Sequence, residues 1–490
     1  MHLTSLPGKF GIGDLGPQAH RFIDLLAEAR QSWWQILPLG PPGAGGSPYQ
    51  CYSAFAGNPD LLSPQVMLRD GLLSRGDIAG KSFSAGRADL EEASRFKSTL
   101  LAAAWDRFQA DTRHALHGEF ATFRETESAW LDDFALFMAL REAHNGDEWN
   151  RWPRDVRIRK TSALRDARRA LGGAIDRHRF RQFLFFRQLD LLRAHARERG
   201  VQLIGDLPIF VSGDSADVWA NPQLFLLDRD LRPTFVAGVP PDYFSKTGQR
   251  WGNPLYNWRA MERSGFDWWV RRVRSVLRQV DLVRIDHFRG FAACWTIPAA
   301  NPTAEKGRWV EAPGRALFQV VREKLGRLPF IAEDLGLITP DVEALRDELG
   351  LPGMRVLQFA FGGGANNPFL PHNYPQNAVT YTGTQDNDTT AGWYVALKAG
   401  ERKQLHQYAP DAKRNAAHAL IRLAWSSVAD LAIAPVQDVL GMGSDARMNT
   451  PGTASGNWRW RLTALPDARA MDRLGAWTET YGRAAPLTPE

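Results

Sequence analysis

The chain has 490 residues, 44% of them apolar, ample for a buried core in one large domain with insertions or in two or three ordinary ones. Its 60 Lys and Arg against 54 Asp and Glu leave a formal charge of only +6, and the densest basic stretch, residues 151–169, is broken by Asp155, Asp166 and apolar residues at helical intervals, so it reads as a solvated face and not as a nucleic-acid surface. The sequence contains no apolar run of roughly 18 residues and no leader-like N-terminus, which argues against a membrane span and makes the cytoplasm the expected location.

In chain order, Gly11-Ile12-Gly13-Asp14-Leu15-Gly16 fits G-x-G-x-x-G, but no strand leads into it and Asp14 would put an anion where a pyrophosphate must sit. A turn entering a helix near Pro17 is the better reading. Short apolar runs that suit barrel strands follow at 33–39, 201–207, 281–286, 330–334, 354–361, 378–384 and 431–436. Helical periodicity separates the later runs, at 314–325 and at 341–349, the second announced by Thr339 as cap and Pro340 at the first helical position. Alternating strand and helix predicts a parallel sheet with right-handed crossovers, and seven or eight repeats favour closure into a (β/α)8 barrel. Two intervals exceed a barrel repeat of about 30 residues. Residues 40–200 read as a mainly helical insertion after the second strand, with helices at 130–141 and 181–199; residues 208–280, rich in Gly, Pro and aromatics, read as a loop-rich insertion after the third, covering the substrate. Barely fifty residues follow the last strand, so residues 1–490 are expected to form one barrel domain without a separate C-terminal β-domain.

Two carboxylates carry most of the chemistry. Asp286 ends the run Val283-Arg284-Ile285-Asp286, and Glu333 follows Phe330-Ile331-Ala332. A parallel barrel keeps its active site at such strand ends, and paired acids there suggest glycosidic-bond chemistry. Arg284 shares a strand face with Asp286, and a guanidinium beside a carboxylate favours its ionised, nucleophilic form. Glu333 would need a raised pKa to donate a proton, which an enclosed cleft and a neighbouring anion supply. Counting one strand upstream of Thr4, Asp286, Glu333 and Asp386 end strands four, five and seven and point into one mouth. Eighteen Trp residues, many beside Gly, Pro or Asn (Trp152, Trp219, Trp251, Trp258, Trp458), suit the apolar faces of sugars. No Walker motif, H-E-x-x-H or Cys/His cluster occurs, so no metal or other cofactor is implied, and Cys51 and Cys294 are expected as free thiols.

The segments Thr4-Ser5-Leu6-Pro7, Ser47-Pro48-Tyr49-Gln50, Gly205-Asp206-Leu207-Pro208, Pro240-Pro241-Asp242-Tyr243 and Gly248-Gln249-Arg250-Trp251-Gly252-Asn253-Pro254, with Asn449-Thr450-Pro451-Gly452 and Gly456-Asn457-Trp458, together resemble the amylomaltases, the 4-α-glucanotransferases of glycoside hydrolase family 77. The likeness runs through essentially the whole chain in order. It implies transfer of α-1,4-glucan segments to the 4-hydroxyl of an acceptor glucan by a retaining double displacement, with Asp286 as nucleophile, Glu333 as acid/base and Asp386 as the third carboxylate. It further implies that Arg284, His287, Gln385, Asp206, Asp242, Gln249, Trp251, Ser47, Tyr49 and Asn457 surround the sugars. Maltooligosaccharides are the implied donors and acceptors, and neither nucleic acid nor a membrane is an expected partner. The family pattern has a first strand upstream of the Thr4 segment, and a His where Gln385 stands. A hydrolase of the same clan is one alternative, in which water and not sugar meets the intermediate; because a carboxamide never carries charge, a weakly active or non-catalytic glucan-binding homologue is the other. The number of subunits is not readable from the sequence.

Overall fold

The computed structural model describes residues 1–43, 45–241, 245–453 and 455–485. Eleven strands occur among them: β1 (Trp33–Gln35), β2 (Gln202–Pro208), β3 (Phe235–Val239), β4 (Gln249–Pro254), β5 (Leu282–Asp286), β6 (Ala293–Pro298), β7 (Arg308–Glu311), β8 (Phe330–Ala332), β9 (Gly353–Val356), β10 (Ala378–Tyr381) and β11 (Leu431–Ile433). Seven form one sheet in the order β1-β2-β5-β8-β9-β10-β11, every pairing parallel. Every connection between successive members except that from β9 to β10 carries at least one α-helix, as in an α/β barrel.

Side-chain alternation explains how the sheet curls. Ile204, Ile331, Met354, Val356, Val379 and Tyr381 pack into one buried cluster, and Trp33 of β1 joins it together with Leu431 and Ile433 of β11. The first and last strands thus bury side chains in the same interior, although they share no ladder. Met1 lies at this seam, its ammonium donating to the Gln35 carbonyl at 3.1 Å and its own carbonyl accepting from the Trp34 indole at 2.7 Å. A barrel filled by β-branched and long side chains is a packed core, so function is confined to its ends.

The helices form where the periodicity places them. Residues Gly314–Leu325 bury Leu317, Phe318 and Val321 on one face, and Gly326 at φ 78° stops the helix with the left-handed residue such ends require. Helix Pro340–Glu348 begins at Pro340, with Thr339 in the extended cap conformation but without a side-chain cap bond. The stretch between β1 and β2 holds the long helices Leu90–Ala110, Ser128–Ala143 and Gly172–Glu198. Among these, Gln182 and Gln188 reach out of the last helix, and their side-chain oxygens accept from the backbone N–H of Gly57 and Ser63 at 2.7 and 2.8 Å.

The strands are shorter than the apolar runs: β1 ends at Gln35, β10 at Tyr381 and β11 at Ile433, and the run after Val356 turns into a short 3-10 helix, Leu357–Phe359. The interval 208–280 is also more ordered than its loop-rich composition suggests. β3 and β4 pair with β6 and β7 in an antiparallel sheet, order β4-β3-β6-β7, and the helix Asp267–Gln279 packs on the barrel strands β2 and β5. No helix among the described residues is long and apolar enough to cross a membrane.

Candidate active site

At the C-terminal ends of the barrel strands opens a trough of about 2590 Å³. Asp286 is the last residue of β5, and Glu333 is the first residue past β8. Both line this trough, together with Arg284, His287, Gln385 and Asp386. Arg284 and Asp286 share a face because the strand period is two, and their side chains meet at 3.0 Å, Nη2 to Oδ1.

Arg284 is itself held from behind. Its register partner across the ladder is Asp206 of β2, and Nη1 donates to both carboxylate oxygens at 2.8 Å. Burial pushes Asp206 up to about 6, against the opposing pull of the Arg284 guanidinium. Asp206 was expected to touch sugar, yet its side chain is 0% exposed. It stands one layer below the trough and fixes the arginine that faces the nucleophile position.

Glu333 sits where a proton is retained. Burial, reinforced by the Asp286 carboxylate, raises its pKa to about 8; Arg284 and two backbone N–H groups pull the other way. Those amides are His287, donating to Oε2 at 2.6 Å, and Leu335, donating to Oε1 at 3.1 Å. His287 delivers its amide from a left-handed turn, φ 55°, directly after β5. Its ring is met edge-on by Trp251 at 4.8 Å, and burial followed by the Arg289 charge lowers the imidazole to about 3, so it is neutral at ordinary pH. The neighbouring acid, Asp334, faces away from the trough: it accepts from Met354 N–H at 2.7 Å and Arg346 at 2.5 Å. A Cβ on Gly353 would lie 2.4 Å from its Oδ2, so only glycine lets β9 approach.

Asp386 does not end a strand. It lies five residues beyond Tyr381, in a turn where Asn387 Oδ1 accepts from Thr384 N–H at 2.9 Å. Its Oδ1 accepts from Asn449 at 2.6 Å, its Oδ2 from Gln385 at 3.2 Å, and its carbonyl from Arg447 at 2.7 Å. Burial raises its pKa, opposed by Asn449 and supported by Asp286. No sequence pattern points to Arg447, and the only signal for Asn449 is its membership of a motif shared with the resembled family.

The remaining expected residues form the walls. Tyr49 reaches the floor, where its hydroxyl donates to Asp206 at 2.8 Å, and its ring lies 5.8 Å from Trp458. Ser47, Gln249, Trp251 and Asn457 line the trough, and the Trp251 indole donates to Gln249 at 3.2 Å. Asn457 spends its amide inside its own loop, accepting from Thr450 N–H and donating to Thr453. Asp242 lies outside the described residues. Trp152 and Trp219 are core residues and not sugar platforms: they are 3% and 0% exposed and pack edge to face at 5.8 Å. Their neighbouring Asn and Pro mark element ends rather than an open surface. Phe359, Phe361, Phe369 and Trp393 line another part of the trough. No group of three or more His, Cys, Asp or Glu among the described residues is placed to hold a metal.

Fold and site together define an α/β-barrel enzyme whose carboxylates meet at the strand ends. The chain belongs to glycoside hydrolase family 77, whose model, described as 4-alpha-glucanotransferase, matches residues 1–466. A 4-alpha-glucanotransferase of Thermus thermophilus is 53% identical over 99% of this chain and 98% of its own, and one of Synechocystis is 49% identical over 99% and 97%. Among solved structures, the amylomaltase of Streptococcus agalactiae in complex with acarbose superposes with a TM-score of 0.95 at 38% identity, covering 99% of both chains.

Proposed function

We infer that this protein is a 4-α-glucanotransferase that moves an α-1,4-glucan segment from a donor to the 4-hydroxyl of an acceptor glucan or glucose with retention of configuration. The observation that carries the reading is the pairing of Asp286 with Arg284 on one strand face, opposite a Glu333 held protonated at neutral pH. In the first half-reaction the Asp286 carboxylate attacks the anomeric carbon while Glu333 gives its proton to the glycosidic oxygen, and the shortened glucan departs. Esterification removes the Asp286 charge, one of the two causes that raise the Glu333 pKa, so Glu333 ionises more readily and its carboxylate is available as the base once its partner is consumed. Glu333 then takes the proton of the acceptor 4-hydroxyl, that oxygen attacks the anomeric carbon, and Asp286 is released.

In this reading Asp386 holds hydroxyls of the donor sugar, and Ser47, Tyr49, Gln249, Trp251, His287 and Asn457, with Asp242, shape the path of the glucan. Asp206 acts through Arg284. The insertions at 40–200 and 208–280 supply the walls that let sugar reach the intermediate before water does. Cys51 and Cys294, both free, suit the reducing cytoplasm as the place of action, which cell fractionation tests.

The functional test is incubation with maltotriose. Transfer redistributes chain lengths at a constant number of reducing ends. A rising number identifies a hydrolase, and unchanged maltotriose identifies a glucan-binding protein without turnover.

A further inference from the structure

Gln385 occupies the place where the resembled family carries a histidine, and its carboxamide has an assignment of its own here. One amide nitrogen donates twice, to the Tyr49 hydroxyl at 2.9 Å and to Asp386 Oδ2 at 3.2 Å. The other Asp386 oxygen accepts from the Asn449 carboxamide at 2.6 Å. The Tyr49 hydroxyl donates in turn to Asp206, and Asp206 is bonded through Arg284 to Asp286. A continuous polar chain therefore runs from one trough carboxylate to the other, and Gln385 is the link that joins Tyr49 to Asp386.

These bonds are not needed to shape the loop. The Gln385 carbonyl accepts from Asn449 N–H at 3.1 Å, and Thr384 is bonded to Asn387 through both its N–H and its hydroxyl at 2.9 Å. The side chain is thus available for a task at the site, and both of its donated bonds end on groups of the site.

We propose that Gln385 and Asn449 are positioning residues, a pair of neutral carboxamides that grip the two oxygens of Asp386, and that Gln385 couples this carboxylate through Tyr49 to the Asp206–Arg284–Asp286 chain. The inference rests on the transferase reading above. A carboxamide makes the grip with two N–H donors at any pH. A neutral imidazole has a single N–H and satisfies only one of the two acceptors, whereas a protonated imidazole satisfies both. The ionisable groups that face the clamp are Asp286, Asp206, Arg284, Arg447 and Tyr49, apart from Asp386 itself.

The test measures maltotriose transfer for wild type, Gln385→Leu, Tyr49→Phe, the double variant and Gln385→His, with thermal unfolding alongside. Gln385→Leu is expected to lower kcat about 10- to 100-fold with little change in KM, the scale of a misplaced reacting group. Because Gln385 and Tyr49 act along one chain, the double variant is expected to be no worse than the poorer single one. Gln385→His is expected to show a new limb, kcat falling as pH rises through the imidazole range near about 6.5, which wild type lacks. An unaltered kcat in Gln385→Leu, fully additive losses, or a His variant without the new limb overturns the inference. If Gln385→Leu does not fold, the pH profile of the His variant decides alone. A wild-type enzyme without transfer overturns the transferase reading and this inference together, whereas active wild type with an indifferent Gln385→Leu overturns only the inference.

Discussion

At Glu333, Arg284 and two backbone amides favour the anion while burial and Asp286 favour the acid, and the acid wins with a pKa of about 8. The general acid of the free enzyme is lost as pH rises through that value, so kcat/KM is expected to fall on an alkaline limb near 8, to a slope of one in log units. Replacing Asp286 by Asn removes a raising influence and is expected to move the titration of Glu333 downward, measured by the carboxyl signal in NMR. Asp286 and Glu333 were legible in the sequence because each ends an apolar run, and a strand's period of two tells which neighbour shares its face. Depth was not legible: Asp206 has the same sequence signature as Asp286 and lies a layer lower, where it meets Arg284 and the Tyr49 hydroxyl. Asn449 was illegible for another reason, since a loop has no period from which to project a side chain.

The strands β2 and β5 are joined by more than their ladder. Asp206 and Arg284 are directly opposed, 0% and 4% exposed, so neither charge has water as an alternative partner. Asp206→Leu leaves the guanidinium with Asp286 alone and is expected to cost about 3 to 5 kcal/mol of stability, read from the shift of a denaturant unfolding curve. A loss below about 1 kcal/mol would mean that Asp286 suffices to hold Arg284. At this scale the barrel strands were legible because strands buried on both faces read as continuous apolar runs. Their ends were not, since the same apolar residues continue into turns and short helices that are buried as well, as at Leu357. Within the antiparallel sheet β4, Gln-Arg-Trp-Gly-Asn-Pro, was not legible, because it has neither alternation nor β-branched residues and is specified by its partners, not by its own composition.

For the molecule as a whole, the decisive dimension is that of the trough. About 2590 Å³ is well above the roughly 300 to 1,000 Å³ of a pocket built for one small ligand. Besides the three carboxylates its lining includes Asn58, Arg95, Trp393 and Glu401, and its volume leaves room for several glucosyl units of a chain. The composition predicted a sugar surface but not its extent, because the walls come from segments as distant as Ser47 and Asn457, whose proximity exists only once the barrel has curled.

A long trough used twice per cycle creates a traffic problem. The half emptied by the departing piece is the half the next chain must enter, and a fresh donor resembles an acceptor in every glucosyl unit. Crowding the enzyme with long donor therefore blocks the vacated half with molecules that arrive in the wrong register. The rate is expected to pass through a maximum and decline as donor concentration rises, and added glucose, short enough to enter only as acceptor, is expected to relieve the decline.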